Sequence, residues 1–268
     1  MTSQKNTFKK RFGSMLRVDF KRLFLSRAFY IILAIALLAP VLILVMTTMM
    51  DGTVSVDPQT GKETVIEGFD NVWQIIGSLN TQEGADASLS MGITSMCNIN
   101  MLYFGIAALV CIFVSDDFRS GYAKNLFTVR AKKTDYVASK TVVLTFGAAM
   151  MILAFVLGSL IGGAVSGLSF AMVGFHTGNL LLCVLSKTVL VSVFVPIYLI
   201  MSVAAKDKLW LSILLSMMVG MFLFMMIPML TPLNATLIHV LFCALGGIGF
   251  GFGLGAISNL VLQKTSLV

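Results

Sequence analysis

Residues 141–165 read TVVLTFGAAMMILAFVLGSLIGGAV, a run of 25 positions without a charged side chain. An α-helix rises about 1.5 Å per residue, so about 20 such residues cross the roughly 30 Å hydrocarbon core of a bilayer. This stretch therefore predicts a membrane-spanning helix.

Five further apolar stretches of similar length lie along the chain. The six predicted spans lie near residues 28–50, 97–115, 141–165, 188–205, 209–230 and 237–263. The charged run Lys206-Asp207-Lys208 separates the fourth span from the fifth, because such a cluster is costly inside a bilayer. The spans take up half of the 268 residues and leave no room for a soluble catalytic domain. The sequence thus predicts a single all-α integral membrane domain over residues 1–268, with six transmembrane helices.

Composition excludes a soluble protein. Hydrophobic residues make up 57% of the chain and charged residues 12%, with a mean hydropathy of +0.94. Soluble domains carry roughly 25% charged residues. The net charge of +7 would raise the question of a nucleic-acid partner in a soluble protein. Here the positions of the charges indicate membrane topology, and no nucleic acid is expected as a partner.

The basic residues predict the orientation in the membrane. On one predicted side lie 17 of the 19 lysines and arginines, in residues 1–27, in the 116–140 loop, in the 206–208 turn and at Lys264. The 51–96 loop on the other side holds seven acids against the single Lys62. By the positive-inside rule, both termini are cytoplasmic, the 51–96 loop is extracellular, and the chain lies in the plasma membrane.

The segment before the first span has an apolar stripe. Phe12, Leu16, Phe20, Leu23 and Phe24 fall on one helical face, with basic residues on its flanks. The pattern predicts an amphipathic helix over residues 1–27 that lies in the lipid headgroup layer. The alternative is a disordered basic tail that only fixes the topology.

The 116–140 loop contains a second pattern. Phe118, Tyr122 and Leu126 stand four residues apart, so a short helix here would present an apolar ridge. Asp116 and Asp117 precede it, where the helix dipole favours negative charge. The ridge either inserts into a groove of a partner protein or packs on the cytoplasmic end of the chain's own bundle.

Smaller features carry further expectations. Gly247, Gly251 and Gly255 recur every four residues in the sixth span and predict close helix packing. Lys187, at the start of the fourth span, is expected to reach the outer surface. Residues 66–79 have helical apolar spacing and predict an extracellular amphipathic helix, which either caps an exit path or rests on the outer leaflet.

What the sequence lacks also bounds its function. No span has a carboxylate at mid-depth, although proton-coupled transporters normally need an intramembrane relay of ionisable groups. The chain has no G-x-x-x-x-G-K-[ST] phosphate loop, no metal-ligand spacing and no catalytic triad pattern. We therefore expect no enzyme activity and no cofactor or metal bound by this chain, and the energy for any transport comes from a partner.

The whole topology resembles that of the type 2 ATP-binding-cassette exporter permeases. Besides the six spans and the basic N-terminal helix, the likeness rests on a loose motif in residues 117–140: an acid, Gly121, Leu126-Phe127, the bases Arg130, Lys132 and Lys133, and Tyr136 to Lys140. The family often has Glu where this chain has Asp117, and a Pro where it has Val129.

The resemblance implies a function. In that family the loop after the second span forms a coupling helix that docks on a separate ATPase subunit, which binds ATP and Mg. Carried over, the contact would be made by Asp117, Phe118, Gly121, Tyr122 and Leu126. The chain would work as a dimer with a second copy or a paralogue, surrounded by lipid, and export a hydrophobic or amphipathic cargo such as a peptide, drug or lipid-like compound. The alternatives are a passive immunity or sensor protein that binds a toxic peptide, and an ATPase-independent carrier.

Overall fold

The computed structural model describes residues 2–56, 63–65, 68–79, 97–129 and 132–264. Most of these residues are helical. The α-helices are α1 Thr2–Leu25, α2 Arg27–Met50, α3 Leu102–Arg119, α4 Tyr122–Val129, α5 Lys133–Ser166, α6 Thr177–Ala205, α7 Leu209–Phe224, α8 Met226–Leu230 and α9 Leu237–Lys264. Two 3-10 turns, Val72–Ile75 and Ile99–Met101, and a hairpin of strands β1 Val54–Val56 and β2 Glu63–Val65 complete the described elements.

Among the described residues, five helical segments are long and apolar enough to cross a membrane, so the prediction of a helical membrane protein is confirmed. They are Arg27–Met50, Ile99–Arg119, Lys133–Ser166, Thr177–Ala205 and Leu237–Leu262. The fifth predicted span, 209–230, is divided between α7 and α8 by a break at Met225. α7 has 16 residues, which is about 24 Å of helix and shorter than the bilayer core. The count of six spans therefore stays a prediction.

Glycines hold α2 and α5 together. A Cβ atom on Gly158 would lie 2.0 Å from the Leu37 carbonyl oxygen, and one on Gly162 would lie 2.8 Å from the Cα of Val41. Only glycine permits backbones to approach so closely, and such contacts stabilise helix pairs in lipid, where apolar burial gives no driving force.

Helix α6 lies at the centre of the bundle and packs against α3, α5, α7 and α9. It begins at Thr177, eleven residues before the predicted start of the fourth span. In contrast, α9 exposes most of its length, including Phe242, Leu245 and Phe252.

The two ends of the bundle differ in charge. At one end, α1 packs against α5, and α4 contacts α1 through the Tyr122 ring and α5 through the Phe127 ring. There the Lys133 ammonium donates a hydrogen bond of 2.5 Å to the Leu262 carbonyl near the end of α9. We call this the basic end. The other end, where α3 begins and the β1–β2 hairpin lies, is called the opposite end.

The prediction of an amphipathic helix over residues 66–79 is wrong for the described part, residues 68–79. Only Val72–Ile75 are helical, and they form a 3-10 turn. The Asn71 side chain caps the start of this turn by accepting hydrogen bonds from the Trp73 and Gln74 amides. The turn is buried rather than lying on a leaflet surface, because Trp73 Nε1 donates to the Phe170 carbonyl at 3.0 Å and Val72 packs against α5. Residues 54–56, predicted as loop, form β1.

Candidate functional site

The basic end contains a buried cluster of charged side chains centred on Asp117. This carboxylate forms an ion pair with Arg22, accepts a hydrogen bond from the Tyr136 hydroxyl at 2.9 Å, and lies 2.6 Å from the Lys140 ammonium. Asp117 is completely enclosed by this chain. One carboxylate thus joins α1, α3 and α5.

A second carboxylate completes the cluster. Asp19 on α1 accepts hydrogen bonds from the Lys140 ammonium at 2.8 Å and from the Ser139 hydroxyl at 2.6 Å. Asp19, Ser139 and Lys140 are all fully buried. With Arg22 and Asp117, the cluster holds two cations and two carboxylates, so its formal charge is balanced. Buried charges are tolerated only when they are paired in this way.

Aromatic rings enclose the two cations. The Arg22 guanidinium lies 4.1 Å from the centre of the Tyr122 ring, and the Lys140 ammonium lies 4.2 Å from the centre of the Phe113 ring. Cations are attracted to the faces of such rings. Through Tyr122, the cluster also holds the start of α4.

Two side chains of this region, Arg22 and Tyr122, keep their ordinary charge state at physiological pH. Burial alone would lower the pKa of the Arg22 guanidinium, but the charge and hydrogen bond of Asp117, together with Tyr122 and Asp19, outweigh burial, and this pKa is raised above its ordinary value. Burial raises the pKa of the Tyr122 phenol, and the Asp19 carboxylate adds to that effect. Arg22 therefore stays cationic and Tyr122 stays neutral.

A second contact ties α1 to the same region. Arg11 Nε lies 3.3 Å from a carboxylate oxygen of the buried Asp135, in the first turn of α5. The two atoms are not aligned for a hydrogen bond. Helix α1 is thus held to α5 at two levels, more than one helical turn apart.

The structure places the residues predicted to contact an ATPase at the basic end, around α4. Phe118 and Leu126 are partly buried and pack against the hydrophobic core, and Tyr122 lies over Arg22. Gly121 has a φ of +72°, which only glycine adopts easily, and it makes the turn between α3 and α4. The apolar ridge therefore packs on the chain's own bundle, and Asp117 lies beneath it.

The outward face of α4 is polar. Lys124, Asn125 and Thr128 are exposed, and Arg119 and Ser120 extend the same surface at the end of α3 and the turn. This surface is the part of the helix that another protein could reach.

The glycines predicted to pack in the sixth span behave differently from one another. A Cβ on Gly247 would lie 1.9 Å from the Ser192 hydroxyl oxygen of α6, so the helices touch there. All three glycines line a groove of about 470 Å³ between α5 and α9, where a Cβ on Gly251 would meet nothing within 4 Å and one on Gly255 only Val137 at 4.0 Å.

Lys187 does not reach the surface as predicted. Its side chain is fully buried, and its ammonium donates hydrogen bonds to Asn100 Oδ1 at 3.1 Å and Thr231 Oγ1 at 2.8 Å. The reason is that α6 begins at Thr177, which puts Lys187 about 15 Å along the helix. Among the described residues, no carboxylate lies within ion-pair distance of it.

Sequence reasoning missed five members of the cluster as site residues: Asp19, Arg22, Tyr136, Ser139 and Lys140. The sequence carried a signal for two of them. Asp19 is the only acid in residues 1–27, and Lys140 is the only basic residue between Lys133 and Lys187. An isolated charge of opposite sign to its surroundings, or one inside a spanning helix, calls for a buried partner.

Comparisons with known proteins identify the family. Neither the curated proteins nor the solved structures give a match to this chain. The family model described as "ABC-2 family transporter protein" matches residues 15–223, a region that contains α1 from its middle, the whole ion cluster, and α2 to α7. The chain belongs to this family of ABC-2 type transporter permeases.

Proposed function

We propose that this chain is the permease subunit of an ATP-driven exporter, and that the outward face of α4 is the docking surface for a separate ATPase subunit. Membership of the ABC-2 transporter family supports the first part. The observation that carries the second part is the buried cluster of Asp19, Arg22, Asp117 and Lys140, which joins α1, α3 and α5 at one end of the bundle and holds α4 through the Tyr122 ring.

The basic end faces the cytoplasm in this proposal. The positive-inside rule supports that orientation, since nearly all lysines and arginines of the sequence fall on the side that includes both termini. α7 and α8 together make the fifth of six spans, and α1 lies in the cytoplasmic headgroup layer. An ATPase in the cytoplasm would then approach α4 directly.

The docking surface consists of Lys124, Asn125 and Thr128, which are exposed while the apolar side of α4 packs inward. A surface with this polar character is typical of non-obligate interfaces, whose subunits are also stable on their own. In this arrangement Asp117 acts by positioning α4 and makes no direct contact with the ATPase, since it is enclosed by its own chain.

The cluster gives α4 a mechanical connection to the spans. Asp117 lies near the end of α3, Lys140 lies two turns inside α5, and Arg22 lies on α1. A push on α4 therefore moves α1, α3 and α5 as a unit, because separating any of them would leave a buried charge without its partner. ATP-driven closure of two ATPase subunits would tilt these helices and change access to a path between two permease copies.

The cargo class follows from the composition. Apolar spans and 18 methionines support a hydrophobic or amphipathic cargo, because methionine side chains adapt to irregular apolar surfaces. ATP and Mg bind to the partner subunit, and this chain supplies the path.

Charge reversal on α4 tests the docking surface. We expect Lys124→Glu to reduce co-purification of the ATPase subunit by about fivefold or more, because a like-charge or mismatched contact in an interface costs about 1 kcal/mol or more. The measurement is an affinity pull-down of the tagged permease from membranes, quantified per folded permease by size-exclusion chromatography.

Lys208→Glu is the matched control. Lys208 is exposed on the turn between α6 and α7, and it belongs to the same predicted cytoplasmic surface. Equal loss of the ATPase in both variants, or no loss in Lys124→Glu, would contradict the docking surface. Transport that continued with a hydrolysis-dead ATPase would instead favour a carrier.

A further inference from the structure

A cavity of about 350 Å³ opens at the basic end, between the end of α1, the start of α2 and the end of α3. Arg22, Ser26 and Asp116 provide its polar lining, and Ile112 and Phe113 provide apolar wall. The cavity therefore brings a cation, an anion and an apolar surface together in one small space.

The two charges that line the cavity are only loosely paired. Arg22 Nη2 lies 3.4 Å from Asp116 Oδ2, longer than the 2.7–2.9 Å of a good charge-assisted hydrogen bond. The Asp116 side chain is 67% exposed, whereas that of its neighbour Asp117 is fully buried. Among the described residues, Asp116 has no other ion-pair partner, so its carboxylate keeps unused capacity to accept hydrogen bonds.

The start of α2 adds a second anion-attracting feature. Ser26 is the N-cap residue, and its hydroxyl makes no capping hydrogen bond. The first amides of the helix have no partner within it, and a helix start favours negative charge. Arg22 and the start of α2 thus face the cavity with donors, while Asp116 offers an acceptor.

The cavity lies where an amphipathic helix meets an apolar span. Leu25 is 70% exposed and Tyr30 is 52% exposed on either side of the α1–α2 junction. Tyrosine side chains favour the headgroup level of a bilayer. A molecule in this cavity would therefore be a lipid headgroup, with its glycerol and chains against Leu25 and Ile112.

We propose that this cavity binds the headgroup of a phospholipid that carries a phosphate and a primary ammonium. The phosphate lies against Arg22 and the start of α2, and the ammonium donates hydrogen bonds to Asp116. Such a headgroup replaces one long ion pair by two short ones. A trimethylated ammonium has no N–H to donate, and a glycerol headgroup offers Asp116 only neutral hydroxyl donors, with no cation to offset the repulsion between the phosphate and the carboxylate. The proposal requires only that the chain lies in a membrane, and it does not depend on the ATPase partner.

Lipid competition tests the site. The delipidated, detergent-solubilised chain is mixed with equal amounts of dioleoyl phosphatidylethanolamine, phosphatidylcholine and phosphatidylglycerol, and the retained lipids are counted by native mass spectrometry. We expect the ethanolamine lipid to be retained about two- to fivefold over the choline lipid, as one partly exposed ion pair would give. Asp116→Asn should abolish that preference, and Asp116→Glu should keep most of it.

Asp207→Asn is the control, because Asp207 is another exposed acid, on the turn between α6 and α7. Equal retention of the ethanolamine and choline lipids by the unchanged chain would overturn the proposal. So would loss of the preference in Asp207→Asn, or full preference in Asp116→Asn. Soluble phosphoethanolamine at the same concentration should not displace the lipid; if it does, the site is for the free headgroup, and the assignment to lipid is overturned.

Discussion

Lys140 and Lys187 are both fully buried, but the two ends of the bundle hold them in different ways. At the basic end, Lys140 lies between two carboxylates, Asp19 and Asp117. At the opposite end, Lys187 bonds to the neutral oxygens of Asn100 and Thr231. The first arrangement is a balanced ion cluster that joins helices, whereas the second is a single lysine that donates hydrogen bonds to neutral oxygens. The difference indicates that strong electrostatic connection between helices is concentrated at the end of the bundle where we propose that the ATPase docks.

The largest effect is expected at the basic end. Lys140→Met should lower the free energy of unfolding by about 3–5 kcal/mol, because it leaves two buried carboxylates with one cation. The measurement is a reversible unfolding titration in mixed micelles. Lys124→Met is the control, since Lys124 is exposed on α4, and it should change stability by less than about 0.5 kcal/mol. A similar small effect for Lys140→Met would contradict the cluster.

A smaller effect is expected at the opposite end. Lys187→Met should cost about 1–3 kcal/mol, because Asn100 and Thr231 lose a donor while no carboxylate of the described residues is left unpaired. The same titration compares it directly with Lys140→Met. If Lys187→Met were the more damaging of the two, a counter-ion for Lys187 would have to exist, and the contrast between the two ends would fail.

The sequence was sufficient for the lipid-facing part of the fold. Hydropathy finds segments that cross a bilayer, because the residues of such a segment all lie in an apolar hydrocarbon environment. Helices α2, α5 and α9 accordingly coincide with predicted spans. The prediction starts the fourth span at residue 188, just after the charged Lys187, whereas α6 begins at Thr177 and includes the apolar run before that lysine. Lys187 was consequently expected at the surface, although it lies deep among α3, α6 and the α8–α9 turn.

The candidate site was harder to predict, because it depends on pairing between distant segments. Helical spacing found the ridge of Phe118, Tyr122 and Leu126, but spacing does not say which way a ridge faces. The partners Asp19 and Lys140 are 121 residues apart, and no local pattern connects them. The only signal in the sequence is that Asp19 and Lys140 are each isolated charges, because a charge that is buried in a helical bundle or in lipid needs a counter-charge.

The adjacent residues Asp116 and Asp117 also show that sequence alone does not give the surroundings of a side chain. Asp116 and Asp117 are the same residue type in consecutive positions, yet one side chain is exposed beside a cavity and the other is enclosed in the ion cluster. Successive positions on a helix point about 100° apart, so identical residues meet different surroundings. One of them is suited to bind a mobile ligand, and the other to hold the fold.

The most direct test of the account is ATPase association in the two lysine variants. Lys140→Met and Lys187→Met are purified as folded, monodisperse protein, and the bound ATPase and its hydrolysis rate are measured in each. The account predicts that Lys140→Met loses most of the bound ATPase and its stimulated hydrolysis, whereas Lys187→Met retains the ATPase. Full ATPase binding and normal hydrolysis in folded Lys140→Met would contradict the claim that the ion cluster positions the docking surface.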